Sequence, residues 1–561
     1  MRSFYKIECK VTLFFGRMQI FLYFCSRFYH LSMKARIILY LLFLIAPYTI
    51  GATHIHISDP DTWNAQELAP YIGQTIIFDV PIVVCSNANG SYTVSPRRFY
   101  TPTNQAYPRS SAYTSIMTLN STASMLLEGV SGYHRCGEKI YNLCVRVNST
   151  SKLTWVSGEW RGNSRKDLEQ ASVRQMVNIE DCEDCLLVCT ANLEYYLAAN
   201  TGSGSMGPNS YSEHQIQRTK VNKALSFINA DVYGLVEIES GQVALEEIAK
   251  DLNAKLPKRN YTYINDNSSP NGTYTKAGFI YDANTLEPIG KLQENDTKVE
   301  NRKKMICFRE KATGERFILS VNHFKAKSGN GGGPDSNQGD GQGSFNATRV
   351  EEAQSVVDQY KRYASALKEK DILIVGDLNA YAKEDPITRL ASAGMIDLHR
   401  AFHADSSYSY MFGGLAGYLD HAISNNTLFP QVTGAAGVHI NSDEDDYYTY
   451  DKSGDRSMFR YSDHDPVVIG LQLDSTLSYD PTPSINSNEL LTGETNTLTI
   501  YNAVQGEKKG YYAIYNTSGW LIERKEIIDT QQQIETPLTP GIYIIHIYYD
   551  TQIYTRKVIV R

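Results

Sequence analysis

At 561 residues the chain is too long to fold around one hydrophobic core, so roughly two to four domains are expected. Its 42% hydrophobic and 20% charged residues are those of an ordinary globular protein. The formal charge is −7, but the first 52 residues carry +6 and the remainder −13; an acidic body excludes tight non-specific binding of nucleic acid unless local basic groups or a metal ion supply the grip.

The segment 33–52 reads as a signal peptide: Lys34 and Arg36 form the charged start, Ile37 to Ala46 the apolar run, and Ile50-Gly51-Ala52 a cleavage site. The apolar run is too short to span a bilayer, so export without stable membrane insertion is expected. Residues 53–180 carry short apolar segments separated by turn-rich stretches, which predicts a small β domain, a barrel being one arrangement. Tyr92, Arg98 and Tyr100 are its candidates for stacking on nucleic acid, though sheet surface explains them equally. Cys182 and Cys185 have no second pair and no flanking histidine, so they do not make a zinc set.

From about Leu186 to residue 473 strands alternate with amphipathic helices, expected at 214–230, 242–255 and 346–370. That alternation predicts a layered α/β domain. Inside it, the glycine-rich run 328–345 reads as a lid or surface loop; the spacing of Asp335, Asn337 and Asp340 matches no standard calcium loop. The run 442–451, SDEDDYYTYD, reads as a solvated acidic loop. A Pro/Ser/Asn linker over 474–489 precedes a C-terminal segment, 490–561, whose alternating pattern predicts a small antiparallel β-sandwich.

Four strands of the α/β region end on residues suited to a metal-phosphate site: VYGLVEIE, ILSVNHFKAK, ILIVGDLNA and YSDHDPVVIGL. Strand ends are where α/β sheets place ligands. Any one acidic residue there is equally a cap or a solvated end; the coincidence of four ends marks a site. A hard divalent ion takes carboxylates, neutralises a phosphodiester and lowers the pKa of water. Glu237 and Asp463 are the candidate metal ligands, with Asp377 a third carboxylate. Asn192, Asn322, Asn379 and Lys325 are the candidate substrate contacts. His323 and His464 are the candidate proton-handling groups, and Asp420 in GYLDHA the carboxylate that orients one of them.

In order along the chain, ANLEYYL, GLVEIE, VNHFKAK, GDLNAY, GYLDHA and SDHDPV resemble the signature of the endonuclease/exonuclease/phosphatase superfamily, above all its secreted bacterial nucleases, over residues 185–473. The resemblance implies a four-layered α/β sandwich of the deoxyribonuclease I type. It also implies Mg²⁺ dependence, with Mn²⁺ or Ca²⁺ as substitutes, and a DNA or RNA substrate. Asp377 would position or activate the attacking water, Asn192 and Asn379 would hold metal or phosphate, and His464, oriented by Asp420, would act at the phosphate. His323 would stand on the leaving-group side, making His323, Asp377, Asp420 and His464 the catalytic set. One departure is Asp282, where such chains often carry a basic residue; Lys276 or Lys325 would have to compensate. YNTSGWLI, LTPGIYIIHI and RKVIV resemble a type IX secretion sorting domain, which implies outer-membrane secretion machinery as a partner and a secreted or surface protein. The alternatives are a secreted phosphatase or phospholipid phosphodiesterase, and a non-catalytic surface adhesin.

Overall fold

The computed structural model describes residues 52–60, 63–88, 91–97, 99–100, 116–120, 135–161, 165–177, 185–199, 206–268, 275–294, 302–403 and 407–474, with seven strands between 491 and 560. The signal segment before residue 52, the linker from 475, Arg98 and Cys182 lie outside the described residues.

Residues 186–471 form two six-stranded sheets. In chain order the elements are β1 (Leu186–Tyr196), α1 (Tyr211–Ile228), β2 (Val232–Glu239), α2 (Val243–Lys255), β3 (Tyr261–Tyr263) and β4 (Thr275–Asp282). Then come β5 (Leu286–Glu294), β6 (Lys303–Glu310), β7 (Arg316–His323), α3 (Asn346–Leu367), β8 (Ile372–Asp377) and α4 (Asp385–Ser392). They are followed by β9 (Met395–Asp397), α5 (Leu398–His403), β10 (Tyr410–Phe412), β11 (Leu415–Gly417), β12 (Asp420–Asn425), β13 (Val432–Gly437) and β14 (Val467–Leu471). The first sheet runs β3-β4-β2-β1-β14-β13 and the second β5-β6-β7-β8-β12-β9.

Each sheet is built on one parallel pair, β1 with β2 and β7 with β8, flanked by antiparallel strands. A parallel pair needs a long crossover. α1 and α3 supply it, each helix bringing an apolar stripe onto its own sheet. Leu225 and Ile248 pack on Cys189 and Leu235 outside the first sheet. Val356 and Leu390 pack on Ile318 and Ile374 outside the second. Between the sheets, Val188, Val236 and Phe279 meet Phe308, Leu319 and Val375. The order is helix, sheet, sheet, helix, the four-layered α/β sandwich. Burying each of these side chains contributes about 1.5–3 kcal/mol. The parallel strands are apolar on both faces, which is why they stand out in the sequence; β5, β6 and β13 were not anticipated, being mixed in polarity or glycine-rich and short.

Ahead of these layers, the strands Ile82–Ala88, Ser91–Ser95, Met117–Asn120, Lys139–Ser149 and Lys152–Arg161 pair in a closed ring, since Lys139–Ser149 bonds both Ile82–Ala88 and Lys152–Arg161. Leu119, Ile140, Val145, Leu153 and Trp155 fill it. Tyr92 is 2% exposed and packs against Trp160, 5.6 Å between ring centroids, so it is core and not a stacking platform.

The acidic run 442–451 differs from expectation. Ser442, Asp443, Glu444 and Asp445 are buried. The Glu444 charge is met by Arg135 and Arg165 from the barrel side, partners too distant in sequence for composition to reveal.

The C-terminal strands form two antiparallel sheets, one ordered Leu521–Ile527, Gly510–Asn516, Gly541–Tyr549, Gln552–Val560. Ala513, Tyr515, Leu521 and Tyr548 pack on Leu428, Phe429 and Leu473. These lie where β12 and β14 finish, the end opposite to Glu237 and Asp377. The Arg524 guanidinium sits 4.0 Å over Tyr511 and 5.1 Å over both Phe402 and Phe429. Arg524→Ala is expected to weaken this contact by about 1–2 kcal/mol. Limited proteolysis should then release residues 490–561 faster.

Candidate active site

β2 carries Leu235, Val236, Glu237 and Ile238 at its end. Leu235 and Ile238 both pack toward the helices while Val236 packs toward the second sheet, which strict alternation forbids. A bulge between Leu235 and Ile238 resolves this by making Glu237 the extra residue, with φ 57°. A left-handed non-glycine residue costs about 1–3 kcal/mol, the sort of strain found at functional sites. Glu194, Tyr195, Asn379 and Arg460 are left-handed too. The bulge carries the Glu237 carboxylate to the sheet end, where Oε2 accepts from the Tyr195 amide at 3.2 Å.

In the second sheet the register sets His323 beside Asp377 and Asp377 beside Asp420. Gly376 has φ 122°, and a Cβ there would stand 1.9 Å from the Asn322 carbonyl oxygen, so this strand end requires glycine. Asp377 is held from three directions. Asn379 N donates to Oδ1 at 2.8 Å, and the Asn192 and Asn379 amides each donate to Oδ2 at 3.3 Å. His323 Nε2 lies 3.6 Å from both Glu237 Oε1 and Asp377 Oδ2. His464 Nδ1 meets Asp420 Oδ2 at 2.7 Å, which aims Nε2 at Asp377 Oδ2, 3.9 Å away.

The structure therefore gathers Asn192, Glu237, His323, Asp377, Asn379, Asp420 and His464. Ligand atoms of Glu237, His323 and Asp377 lie within 4.8 Å of one another, a donor set that could hold a metal ion. Asp463 stands outside that trio, beside Glu237 and His464 at the distance of a charge interaction. Asn322 is not brought in. It lies one residue from His323 and so on the other face of β7, where its amide donates to Ser320 O and Oγ at 3.1 and 3.0 Å. Lys325 points its ammonium over the Phe345 ring at 4.6 Å and acts on the cluster only through its charge on His323. Asp282 lies at the far end of β4, opposite the start of β2, where Arg259 pairs with it at 3.1 Å. It has no bearing on phosphate binding. Lys276 is at the near end but is buried on Asp266 at 2.8 Å. Asp335 accepts from Thr348 N and Oγ1, and buried Arg349 ties the glycine-rich loop through the carbonyls of Lys325, Gln342 and Ser344.

The electrostatics of the cluster suit a cation. Burial, then Asp463, pushes Glu237 up to about 7. Burial raises Asp377 to about 6, although His464 pulls it down. Burial alone would lower His464, but Asp420, Asp463 and Asp377 outweigh it and hold the ring protonated. Burial and then Arg302 lower His323 well below its ordinary value, so it is neutral.

Several residues here were missed in the sequence. Ser409 donates to Asp420 Oδ2 at 2.7 Å, and the Tyr410 ring lies 4.6 Å from His464, tilted by 31°. Asp465 accepts from Asn441 N and Ser442 N and fixes the loop behind His464. Arg302, whose carbonyl accepts from His323 N, brings a guanidinium close enough to act on His323 and Asp377, with Nε buried and unpartnered. The basic run Arg302-Lys303-Lys304 opening β6 was its one sequence signal.

Residues 494–561 match the family of secretion system C-terminal sorting domains. A domain of this kind marks a chain for export to the cell surface or medium. No curated protein matches the chain in sequence. Among solved structures, an endonuclease/exonuclease/phosphatase family protein from Bacteroides thetaiotaomicron is 17% identical over 51% of this chain and 94% of its own, with a TM-score of 0.35. A mannosyl-6-phosphatase of the same species is 16% identical over 51% of this chain and 100% of its own, TM-score 0.36. The human Nocturnin catalytic domain is 14% identical over 51% and 94%, TM-score 0.35. No helix among the described residues is long and apolar enough to cross a membrane.

Proposed function

We propose that the chain is a secreted, divalent-metal-dependent nuclease that hydrolyses phosphodiester bonds of extracellular DNA, and of RNA where it is offered. The observation that carries this reading is the meeting of Glu237, His323 and Asp377 within 4.8 Å, next to an imidazole locked on Asp420. Glu237 and Asp463 are the ligands suited to Mg²⁺, which prefers carboxylate oxygen to imidazole nitrogen. Mn²⁺ and Ca²⁺ are alternatives. Such an ion would neutralise the phosphate and polarise its oxygens.

The protein's own groups do the rest. Asp377, held by Asn192 and Asn379, is the base that orients a water and takes its proton. His464, protonated and aligned by Asp420, donates from Nε2 to a phosphate oxygen. Neutral His323 stands on the other side of Asp377, beside the leaving oxygen. Arg302 and Lys325 act through their charge near His323 and give the acidic body local positive charge for a phosphate, whereas Lys303 is buried on Glu352 at 2.7 Å.

The test is activity of the purified protein on plasmid DNA, RNA, a phospholipid and a phosphate monoester, each with Mg²⁺ and with EDTA. Metal-dependent nicking of DNA supports the reading. Turnover confined to the monoester or the lipid would replace it with a secreted phosphatase or phospholipid phosphodiesterase. No turnover of any of them would leave a surface adhesin.

A further inference from the structure

Among the described residues, two of the places where the barrel side meets the catalytic layers lie behind the Asp420–His464 pair. At the first, Glu444 is 1% exposed and shared by two guanidiniums. Arg165 reaches Oε2 with Nε at 2.8 Å and Nη2 at 2.5 Å, and Arg135 Nε pairs with Oε1. Arg135 Nη2 also donates to His439 O at 2.6 Å, and Cys136 N donates to Asp443 O at 2.7 Å. At the second, the short strand Phe99–Tyr100 pairs in parallel with β11, whose hairpin partner β10 begins at Tyr410.

These two contacts converge by hydrogen bonds on the site. Tyr408 OH donates to Asp443 Oδ2 at 2.8 Å, and the Tyr408 ring stacks on His439 with centroids 3.7 Å apart. His439 Nδ1 meets Asp465 Oδ2 at 2.9 Å. Asp465 N donates to Ser409 O at 2.8 Å, and Asn441 Nδ2 to His464 O at 2.6 Å. Ser409 Oγ then holds Asp420. From Arg135 to both members of the pair the chain of contacts is unbroken; the His439 ring is part-exposed, and beyond it Asp465, Ser409 and Asn441 are buried, where a hydrogen bond is strong and its loss costly.

We propose that the N-terminal barrel is a brace for catalysis in cis: Arg135 and Arg165 are positioning residues that hold the loop 439–448, and through it Tyr408, Ser409 and the Asp420–His464 pair, in working alignment. This rests on the phosphodiesterase reading above. A displacement of about 1 Å in a catalytic group can cost ~100-fold in rate, so the brace acts on turnover and not on substrate affinity.

The test compares Arg135→Met, Arg135→Lys and Tyr408→Phe in the full chain. The expected result is a fall in kcat of ~10-fold or more for Arg135→Met and Tyr408→Phe, KM within about 2-fold, and partial recovery in Arg135→Lys. Amide hydrogen exchange in 408–420 and 439–466 should quicken in the same variants; because Arg135→Met leaves buried Glu444 with Arg165 as its remaining cation, its unfolding midpoint falls, and kcat is referred to the folded fraction. Unchanged kcat, or a fall matched by the unfolded fraction, overturns the proposal. Should Arg135→Met not fold, Tyr408→Phe and Arg135→Lys decide by the same two criteria. If the wild-type protein hydrolyses no phosphate ester, the function reading fails alone, because amide exchange still reports whether the barrel braces these loops.

Discussion

Replacing His464 by alanine is expected to lower phosphodiester turnover by ~10²–10⁴-fold, the range for losing a positioned acid–base group. KM should move little, since the ring acts on charge that develops in the transition state. Asp420→Asn removes the partner that fixes the ring and its proton, and should cost nearly as much. The double variant should be no worse than His464→Ala, because two groups that act as one unit are not additive. Removing His464 leaves Asp420 buried with only Ser409 and neighbouring backbone, at a cost of about 3–5 kcal/mol. Rates must therefore be referred to the folded fraction, read from the thermal midpoint. A folded His464→Ala protein that nicks plasmid DNA at the wild-type rate would end the assignment.

Glu237→Gln is expected to abolish metal-dependent activity, by ~10³-fold or more in turnover, and to stabilise the metal-free protein at neutral pH. The sign follows from the direction of the shift. Glu237 is raised from 4.5 to about 7 in the folded state, so folding favours its protonated form. Its contribution to stability is complete below pH about 4.5 and is lost as pH rises through about 7, amounting to ~3 kcal/mol. Glutamine carries no such charge, so the variant gains on wild type across that window. A divalent ion should offset the same repulsion. The wild-type melting point should rise with Mg²⁺ or Mn²⁺ over EDTA, more at pH 8 than at pH 5, and a ligand at 100 times its Kd adds about 2.7 kcal/mol. Glu237→Gln should lose most of that response. A wild-type melting curve indifferent to every divalent ion at both pH values would contradict the metal site.

The places where sequence reasoning fell short share one cause. Asn322 sits one residue from His323, in the same suggestive VNHF run. The pleat sends the two side chains to opposite faces, so one joins the cluster and the other binds Ser320. Asp282 stood out as a departure beside the phosphate, but the antiparallel pairing with β2 puts it at the far end of β4 and Lys276 at the near end. The acidic run near 444 was read as solvated because nothing local balances it. Its partners Arg135 and Arg165 come from about 280 to 310 residues earlier in the chain.

What the sequence determined alone was the list of chemical groups and the elements that carry them. Strands apolar on both faces and helices with one apolar stripe are local patterns, and hydrophobic burial leaves them few arrangements, so a layered α/β domain follows; two sheets between two helical layers were expected from the resemblance of the motifs. The C-terminal sorting segment was legible through the resemblance carried by YNTSGWLI, LTPGIYIIHI and RKVIV. What the tertiary structure alone decided was distance and direction. A bulge at Glu237, a glycine at 376, one register step between His323 and Asp377, and a barrel gripping Glu444 fix which groups meet. Those depend on contacts between residues tens to hundreds of positions apart, whose energy is set by geometry, and no local pattern encodes that geometry.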